Sequence, residues 1–585
     1  MLKLFKNFNK KDILFIIGCI IMMLFEVWIE LKLPDYMSNI TKLIQTEGST
    51  INNILHEGAY MLLCAFGSAI LTVCIGYLAS RLSANFSMTL RGKLFKKVQR
   101  LGSEEIKKFQ TSSLITRTTN DVSQIEMLIA MGLQAMIKAP IMATWAIRKI
   151  INRSAELSML VALGVIILLI TVSIILIIVN PLFKRIQKYT DNLNNVTREN
   201  LIGVRVIRAF NAEKFQVKKF NTVNHNITNT HIKIQKTFAW LDPLMSSVLH
   251  FLTLGIYFFG TLLLVNMSLT KRLDLFSNMV VFTSYGIQVI MSFLMLTMIF
   301  MILPRANVSA KRINEVLESK IRIKDGKGEK PKEIGTVEFQ NVSFKYPDAD
   351  DYVLKDISFK VKKGQTIAFI GSTGSGKSTL INLIPRFYDA TEGKIFIDGV
   401  NIKDYTLKQL NNILGYVSQK AIMFTGSIKE NIRFGDNGKE EVTDKKISES
   451  LRVAQAEEFV SKMKDKENSH IARGGTNVSG GQKQRLSIAR AIARNPEIYI
   501  FDDTFSALDY KTDAKLRKEL KEYTKDATTL IVAQRIGTII NADKIIVLDK
   551  GKCVGIGNHK ELLKKCDVYK EIALSQLSEE ELQNA

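Results

Sequence analysis

No Cys-x-x-Cys pair occurs in this chain of 585 residues. Of the five cysteines, Cys19, Cys64 and Cys74 lie in apolar runs, and Cys553 and Cys566 lie near the carboxyl end. That spread excludes a disulfide framework and a cysteine-ligated zinc site. No cleavable leader is expected either, because the first apolar segment is long and has no small-residue cleavage site. Acidic residues are scarce, 56 against 80 basic ones, for a formal charge of +24. Such an excess suits nucleic acid, anionic lipid or the loops of a membrane protein. The length is too great for one hydrophobic core.

Long, mostly uncharged runs in the first 320 residues decide among these partners. Spans are expected at about Ile13–Leu33, ending near Pro34, and at Ala59–Ser80, Met127–Ile151, Leu157–Phe183, Leu244–Met267 and Leu275–Pro304. Each can cross roughly 30 Å of hydrocarbon as a helix. Six in succession exclude the buried helices of a soluble protein, and with them a soluble nucleic-acid-binding role. Residues 83–121 hold eight Lys/Arg and residues 184–238 hold eleven, against only Lys42 in 34–57. Positive charge therefore places the two basic segments and both termini in the cytosol. Arg148, Lys149 and Arg153 break the pattern on the outer side and are expected to snorkel to headgroups. Lys3, Lys6, Lys10 and Lys11, set among Leu and Phe, read as a short amphipathic helix at the cytoplasmic surface. The two basic segments are expected to continue spans two to five as helices beyond the bilayer. Ser113–Asp121 and Ala212–Phe220 are candidates for short helices that touch the soluble domain.

Two features of the spans bear on a substrate. Glu26 lies well inside the first span. It either faces a central cavity, where it would favour cationic compounds, or hydrogen-bonds a neighbouring helix. Met291, Met295, Met298 and Met301 form a stripe on span six, for which ordinary helix packing is the expected role over adaptable substrate contact.

From about Val337 short strands and turns take over. Val337–Phe339 and Val342–Phe344 are expected to pair, and Tyr346 follows, an aromatic able to stack on a base. Thr366–Ile370 leads into Gly371-Ser372-Thr373-Gly374-Ser375-Gly376-Lys377-Ser378, and Thr379–Leu383 leaves it as a helix. Two glycines with four residues between them, then Lys and Ser, let backbone N–H groups surround a phosphate. Lys377 can reach the β- and γ-phosphates, and the Ser378 hydroxyl can ligate Mg²⁺. Lys394–Ile397 and Leu414–Val417 read as further strands, with Gln419 just past the second. Val478-Ser479-Gly480-Gly481-Gln482 opens a basic helix, a second phosphate-facing terminus. Ile498–Phe501 is a buried strand ending in Asp502 and Asp503, and a carboxylate there can hold Mg²⁺. Thr529–Ala533 is another, ending at Gln534.

This ordered set resembles the ATP-binding cassette family, and with six preceding spans nearly the whole chain resembles an exporter half-transporter. The resemblance implies an all-α transmembrane domain over 1–318, a linker over 319–336, and an α/β P-loop cassette over 337–585. It implies that ATP is held by Tyr346, Gly371, Ser372, Thr373, Gly374, Ser375, Gly376, Lys377, Ser378 and Thr379, and across a dimer by Ser479, Gly480, Gly481 and Gln482. Mg²⁺ would fall to Ser378, Gln419 and Asp502, and catalysis to Asp503, Gln534 and Gln419. Thr116–Val122 and Arg208–Glu213 sit where such exporters carry coupling helices. Membrane lipid, a small-molecule substrate and a second half-transporter are the partners implied.

Two positions depart from the family pattern. Asp503 stands where Glu is usual, and Gln534 where His is usual. Asp is shorter by one methylene, so its carboxylate falls about 1–1.5 Å short of an attacking water. Gln534 can hydrogen-bond a phosphate but carries no charge. Both changes together, with Gly474-Gly475-Thr476-Asn477 before the signature, resemble the degenerate half of heterodimeric exporters. Export of drug-like compounds is the expected activity, with lipid or peptide export and ATP-gated regulation as alternatives.

Overall fold

The computed structural model describes residues 2–577, apart from 7, 47, 152, 154, 266, 267, 439 and 440. The chain divides into two compact units. One comprises Met1–Gln99 and Thr111–Ser319, the other Arg100–Gln110 and Lys320–Ala585.

Among the described residues of the first unit, six helices are long and apolar enough to cross a membrane: Lys10–Gln45, Ile51–Val98, Thr111–Ile151, Ala155–Ala209, Glu213–Val265 and Arg272–Leu317. Ala155–Ala209 runs unbroken for 55 residues, about 80 Å at the rise of an α-helix. That is more than twice the hydrocarbon thickness, so the helix projects well beyond it, as the basic segments implied. Leu63, Phe66, Ile70 and Val73 on the second span stay exposed, an arrangement that lipid tolerates and water does not. Pro34 does not end the first span. It lies in the first turn of Leu33–Gln45, where a missing N–H leaves no bond unmade, and the helix resumes. Met267, expected at the end of span five, lies outside the described residues.

Polar groups inside the spans find partners on neighbouring helices. Glu26 is only 2% exposed. Thr72 of the second span donates to its Oε1, and Lys138 of the third donates to Glu26 Oε1 at 2.9 Å and Glu30 Oε1 at 3.0 Å. Ser68 adds a bond to Glu30 at 3.2 Å. Of the two readings of Glu26, the hydrogen bond to a neighbouring helix is therefore the one observed, and the cavity-lining reading falls. At the far end, Asp35 accepts from Lys149, from Arg153 at 2.6 Å and from the Tyr285 hydroxyl at 2.9 Å. Lys149 and Arg153 thus do not snorkel; a carboxylate within the bundle holds them. Met291 and Met295 are exposed on this chain rather than packed, and the Met298 and Met301 side chains lie outside the described residues.

The segment tied to the second unit is Ser103–Phe109. The expected one, Ser113–Asp121, lies mostly in the helix Thr111–Thr118 of the first unit. There Arg117 donates to the Arg312 carbonyl at 2.7 Å and Glu315 at 3.0 Å, which fixes it to the sixth span. Ala212–Phe220 is no separate short helix. The chain turns at 210–212 and begins the long helix Glu213–Ala239.

The second unit holds two main sheets. Val337–Phe344 is one strand, not the expected pair. Its register shifts between Phe339 and Val342, and it runs antiparallel to Leu354–Val361 and Glu392–Ile397. The larger sheet orders Lys552–Gly557, Lys544–Asp549, Thr366–Gly371, Thr528–Val532, Ile498–Asp502 and Leu414–Val417. All its pairings are parallel except the edge strand Lys552–Gly557. Alternate residues of these strands feed different cores: Phe369, Ile500 and Leu530 one, Ile370, Phe501 and Ile531 the other. Burial on both faces is why the strands read as continuous apolar runs. The stretch expected as a linker lies along this unit: Gly326 N–H donates to Tyr405 O at 2.9 Å, Gly328 N–H to Asp404 O at 2.8 Å and Lys332 N–H to Asp398 O at 2.9 Å.

Asp398 is fully buried at that seam. Its Oδ1 accepts the Thr336 N–H at 2.8 Å, while among the described residues no hydrogen bond of ordinary geometry reaches Oδ2. Burial pushes its carboxyl up to about 7, with the Thr336 N–H opposing and Glu497 adding to the rise. The folded form then holds its proton more tightly than the unfolded chain. Its contribution is fully stabilising below about pH 4, shrinks as pH rises from there, and is gone above about 7. Asp398→Asn removes that titration. Thermal unfolding of the full chain in detergent should lose less stability between pH 5 and 8 in the variant than in the parent; parallel profiles would contradict this. Lys138→Ala leaves two carboxylates without their cation and should lower thermal stability substantially. Adding Glu26→Gln should recover part of the loss, because the two sites are coupled.

Candidate nucleotide site

Four parallel strands end side by side, and the residues beyond their carboxyl ends form the site, as is general for open α/β sheets. Thr366–Gly371 enters the glycine loop, and Lys377–Leu383 leaves it as a helix. Gly374 and Gly376 have φ of 85° and 97°, a region that L side chains avoid. A Cβ on Gly376 would lie 2.7 Å from Leu354 Cδ2. The loop thus needs glycine for conformation and for room. Ser372, Thr373 and Gly374 are exposed at its tip, and Ser375 is buried beneath.

Lys377 Nζ donates to the Gly371 carbonyl at 2.7 Å and the Ser372 carbonyl at 2.8 Å. Burial holds its ammonium below the usual lysine range, against the pull of Asp503 and Asp502. Ser378 Oγ donates to Asp502 Oδ1 at 2.9 Å. Burial raises the Asp502 carboxyl above the usual range, and the Ser378 bond opposes it. Both shifts disfavour the charged forms, the direction that an ion or phosphate brought between them would relieve.

Asp503 follows at φ 47° and is 6% exposed. Its Oδ2 accepts from Gln419 Nε2 at 3.0 Å and from Gln534 Nε2 at 2.8 Å. Three positions set apart in the sequence thus meet on one oxygen. The two positions that depart from the family pattern bond each other directly.

Tyr346 is partly buried. Its hydroxyl lies 3.1 Å from Thr379 Oγ1, and its ring meets Phe344 and Tyr388 edge-on at 5.0 and 5.4 Å. Lys107, from Ser103–Phe109, sits 5.2 Å from the Tyr346 ring centroid and 5.6 Å from that of Tyr388. Sequence reasoning missed Lys107 and Tyr388. Neither carries a local motif, and only the fold brings the short helix to the ring.

Ser479–Gln482 stands apart from this cluster. Ser479 caps the helix Gly480–Ala493, taking the Gln482 N–H while the Gln482 side chain accepts the Ser479 N–H. A Cβ on Gly481 would approach the Ala507 carbonyl, which sets the signature beside Ser506–Asp509. Among the described residues, no hydrogen bond joins Ser479–Gln482 to residues 371–379.

The ABC transporter transmembrane region matches residues 13–303, and the ABC transporter domain matches 354–506. An ABC transporter ATP-binding protein of Mycobacterium tuberculosis is 38% identical over 558 residues, 93% of each chain. A putative multidrug export ATP-binding/permease protein of Staphylococcus aureus is 32% identical over 508 residues, 85% of each. A solved bacterial Atm1-family ABC exporter with ATP bound shares the fold, with a TM-score of 0.83 at 23% identity, covering 98% of this chain and 100% of that one. The chain belongs to the ABC transporter family, as an exporter half-transporter with membrane and ATPase domains on one polypeptide. It is a multi-pass membrane protein that works as a dimer and couples ATP hydrolysis to transport.

Lys377→Ala removes a charged donor from the loop. It should weaken ATP binding to this chain by about 10- to 100-fold. Equal photo-crosslinking of ATP to the variant and the parent would remove Lys377 from the site.

Proposed function

We propose that this chain is the degenerate-site half of a heterodimeric exporter, lying in the cytoplasmic membrane with both termini in the cytosol. The observation that carries the reading is Asp503, short where the family has Glu, with its Oδ2 taken by Gln419 and Gln534. A base must reach the proton it removes, and this carboxylate is shortened and engaged. Gln534 adds no positive charge toward a γ-phosphate.

ATP lies on the glycine loop with Lys377 on its phosphates and Tyr346 on its base. The Ser378 hydroxyl and Asp502 carboxylate, 2.9 Å apart, offer the all-oxygen donors that Mg²⁺ takes. Ser378, Asp502 and Gln419 would hold the ion, which supplies neutralisation of phosphate charge. The site here binds ATP and turns it over slowly. Ser479, Gly480, Gly481 and Gln482 complete the partner's site, and the partner carries Glu and His at the matching positions. Closure and reopening of the two cassettes switch the spans between inward- and outward-facing states. The substrates are drug-like amphipathic compounds, a reading supported by the multidrug export name of the Staphylococcus aureus relative.

Two variants of the co-purified pair test the asymmetry. Ser479→Arg should cut ATPase activity on the order of 100-fold, the scale of losing a transition-state donor. Asp503→Asn should leave most of it. The reverse ranking would place the working site on this chain, as would robust ATPase activity from a homodimer of it.

A further inference from the structure

A half-open apolar cavity of about 390 Å³ lies in the first unit between the amino-terminal segment and spans one, two, three and six. Its size falls in the range of small-ligand pockets, roughly 300–1,000 Å³. Phe5 and Phe8 cover one side, Ile16 and Leu82 form the walls, and Gly132 and Met136 come from the third span. The amino-terminal segment is pinned rather than trailing. Leu4 is fully buried, Lys3 pairs with Glu318 at 2.9 Å, and Phe8 packs on Phe86 at 4.5 Å between centroids.

Every side chain on the wall is apolar, so nothing inside can satisfy a polar ligand group. The occupant must therefore be hydrocarbon within the cavity and polar only outside it. Ile16 lies six residues into the helix that begins at Lys10, about 9 Å along its axis. The cavity thus lies close to the amino-terminal end of the first span. Around that end of the span Lys6, Lys10 and Lys11 are all exposed, Lys6 lying between Phe5 and Phe8 in the sequence. Among the described residues none of the three has an acidic partner. The nearest carboxylate in sequence, Asp12, is buried and accepts the Asn9 N–H at 2.9 Å.

We propose that this cavity binds one acyl chain of an anionic phospholipid, whose phosphate sits among Lys6, Lys10 and Lys11. The hydrocarbon wall fixes what goes in, and the three exposed lysines of the segment that covers it favour a negatively charged headgroup outside. The site is separate from the ATP site and from the spans' ion pairs. It does not depend on the asymmetry proposed above.

The test is native mass spectrometry of the delipidated full-length chain, with dioleoyl phosphatidylglycerol or dioleoyl phosphatidylcholine added back. The parent should retain one phosphatidylglycerol per chain and prefer it about tenfold or more, given the attraction of several lysines near a surface. Gly132→Phe fills the cavity. The Cβ at that position meets first Leu128 Cδ1 at 3.2 Å, a side chain free to turn. This variant should retain neither lipid while still binding ATP. The triple variant Lys6→Ala, Lys10→Ala, Lys11→Ala should keep a lipid but lose the preference. Equal retention of the two lipids by the parent would overturn the proposal. So would a folded Gly132→Phe chain that keeps phosphatidylglycerol, or an undiminished preference in the triple variant. If Gly132→Phe no longer binds ATP, the triple variant decides alone.

Discussion

Asp502 ends a strand that is buried along its whole length and Asp503 follows it, also buried, and two adjacent carboxylates cannot remain there without partners. Ser378 takes the first, and Gln419 and Gln534 take the second. Each partner comes from a different strand end, so the pairing holds only when the parallel register of the large sheet is correct. Thr528–Val532 lies between Thr366–Gly371 and Ile498–Asp502, which brings Gln534 to Asp503. Leu414–Val417 flanks Ile498–Asp502 on its other side, which brings Gln419. The buried charge and the sheet order therefore specify one another. The same carboxylates face the phosphate loop, where burial shifts Lys377 and Asp502 toward their neutral forms.

The membrane unit answers the same constraint in a drier setting. Glu26 and Glu30 share Lys138 across helices, and Asp35 gathers Lys149, Arg153 and Tyr285. Each cluster binds separate spans through groups that lipid cannot solvate. Charge inside this bundle is thus structural where it is paired. At the amino-terminal end of the first span, by contrast, Lys6, Lys10 and Lys11 are exposed and, among the described residues, have no carboxylate partner.

Much of this was legible in the sequence, for definite reasons. Uncharged runs such as Leu157–Phe183 mark spans because lipid forbids unpaired charge. The glycine loop was legible because phosphate binding demands small residues at fixed spacing. What escaped depends on contacts distant in sequence. Glu26 alone does not reveal Lys138, since the two lie on different helices. Val337–Phe344 looked like two strands because its register shift interrupts the alternation. The segment tied to the second unit lay at Ser103–Phe109, and only the fold carries Lys107 to Tyr346. Pro34 suggested a stop, yet first-turn proline is compatible with helix. That Asp503 and Gln534 are bonded to each other could not be read from their separate departures.

The central proposal is that hydrolysis runs chiefly at the partner's site and only slowly at this chain's. The most direct measurement is vanadate trapping of photoreactive ADP in the co-purified pair, followed by mapping of the labelled peptides. Labelling of the partner's phosphate loop, with the Gly371–Ser378 peptide carrying only untrapped ATP, is the result expected. Vanadate-dependent ADP on the Gly371–Ser378 peptide of this chain would contradict it.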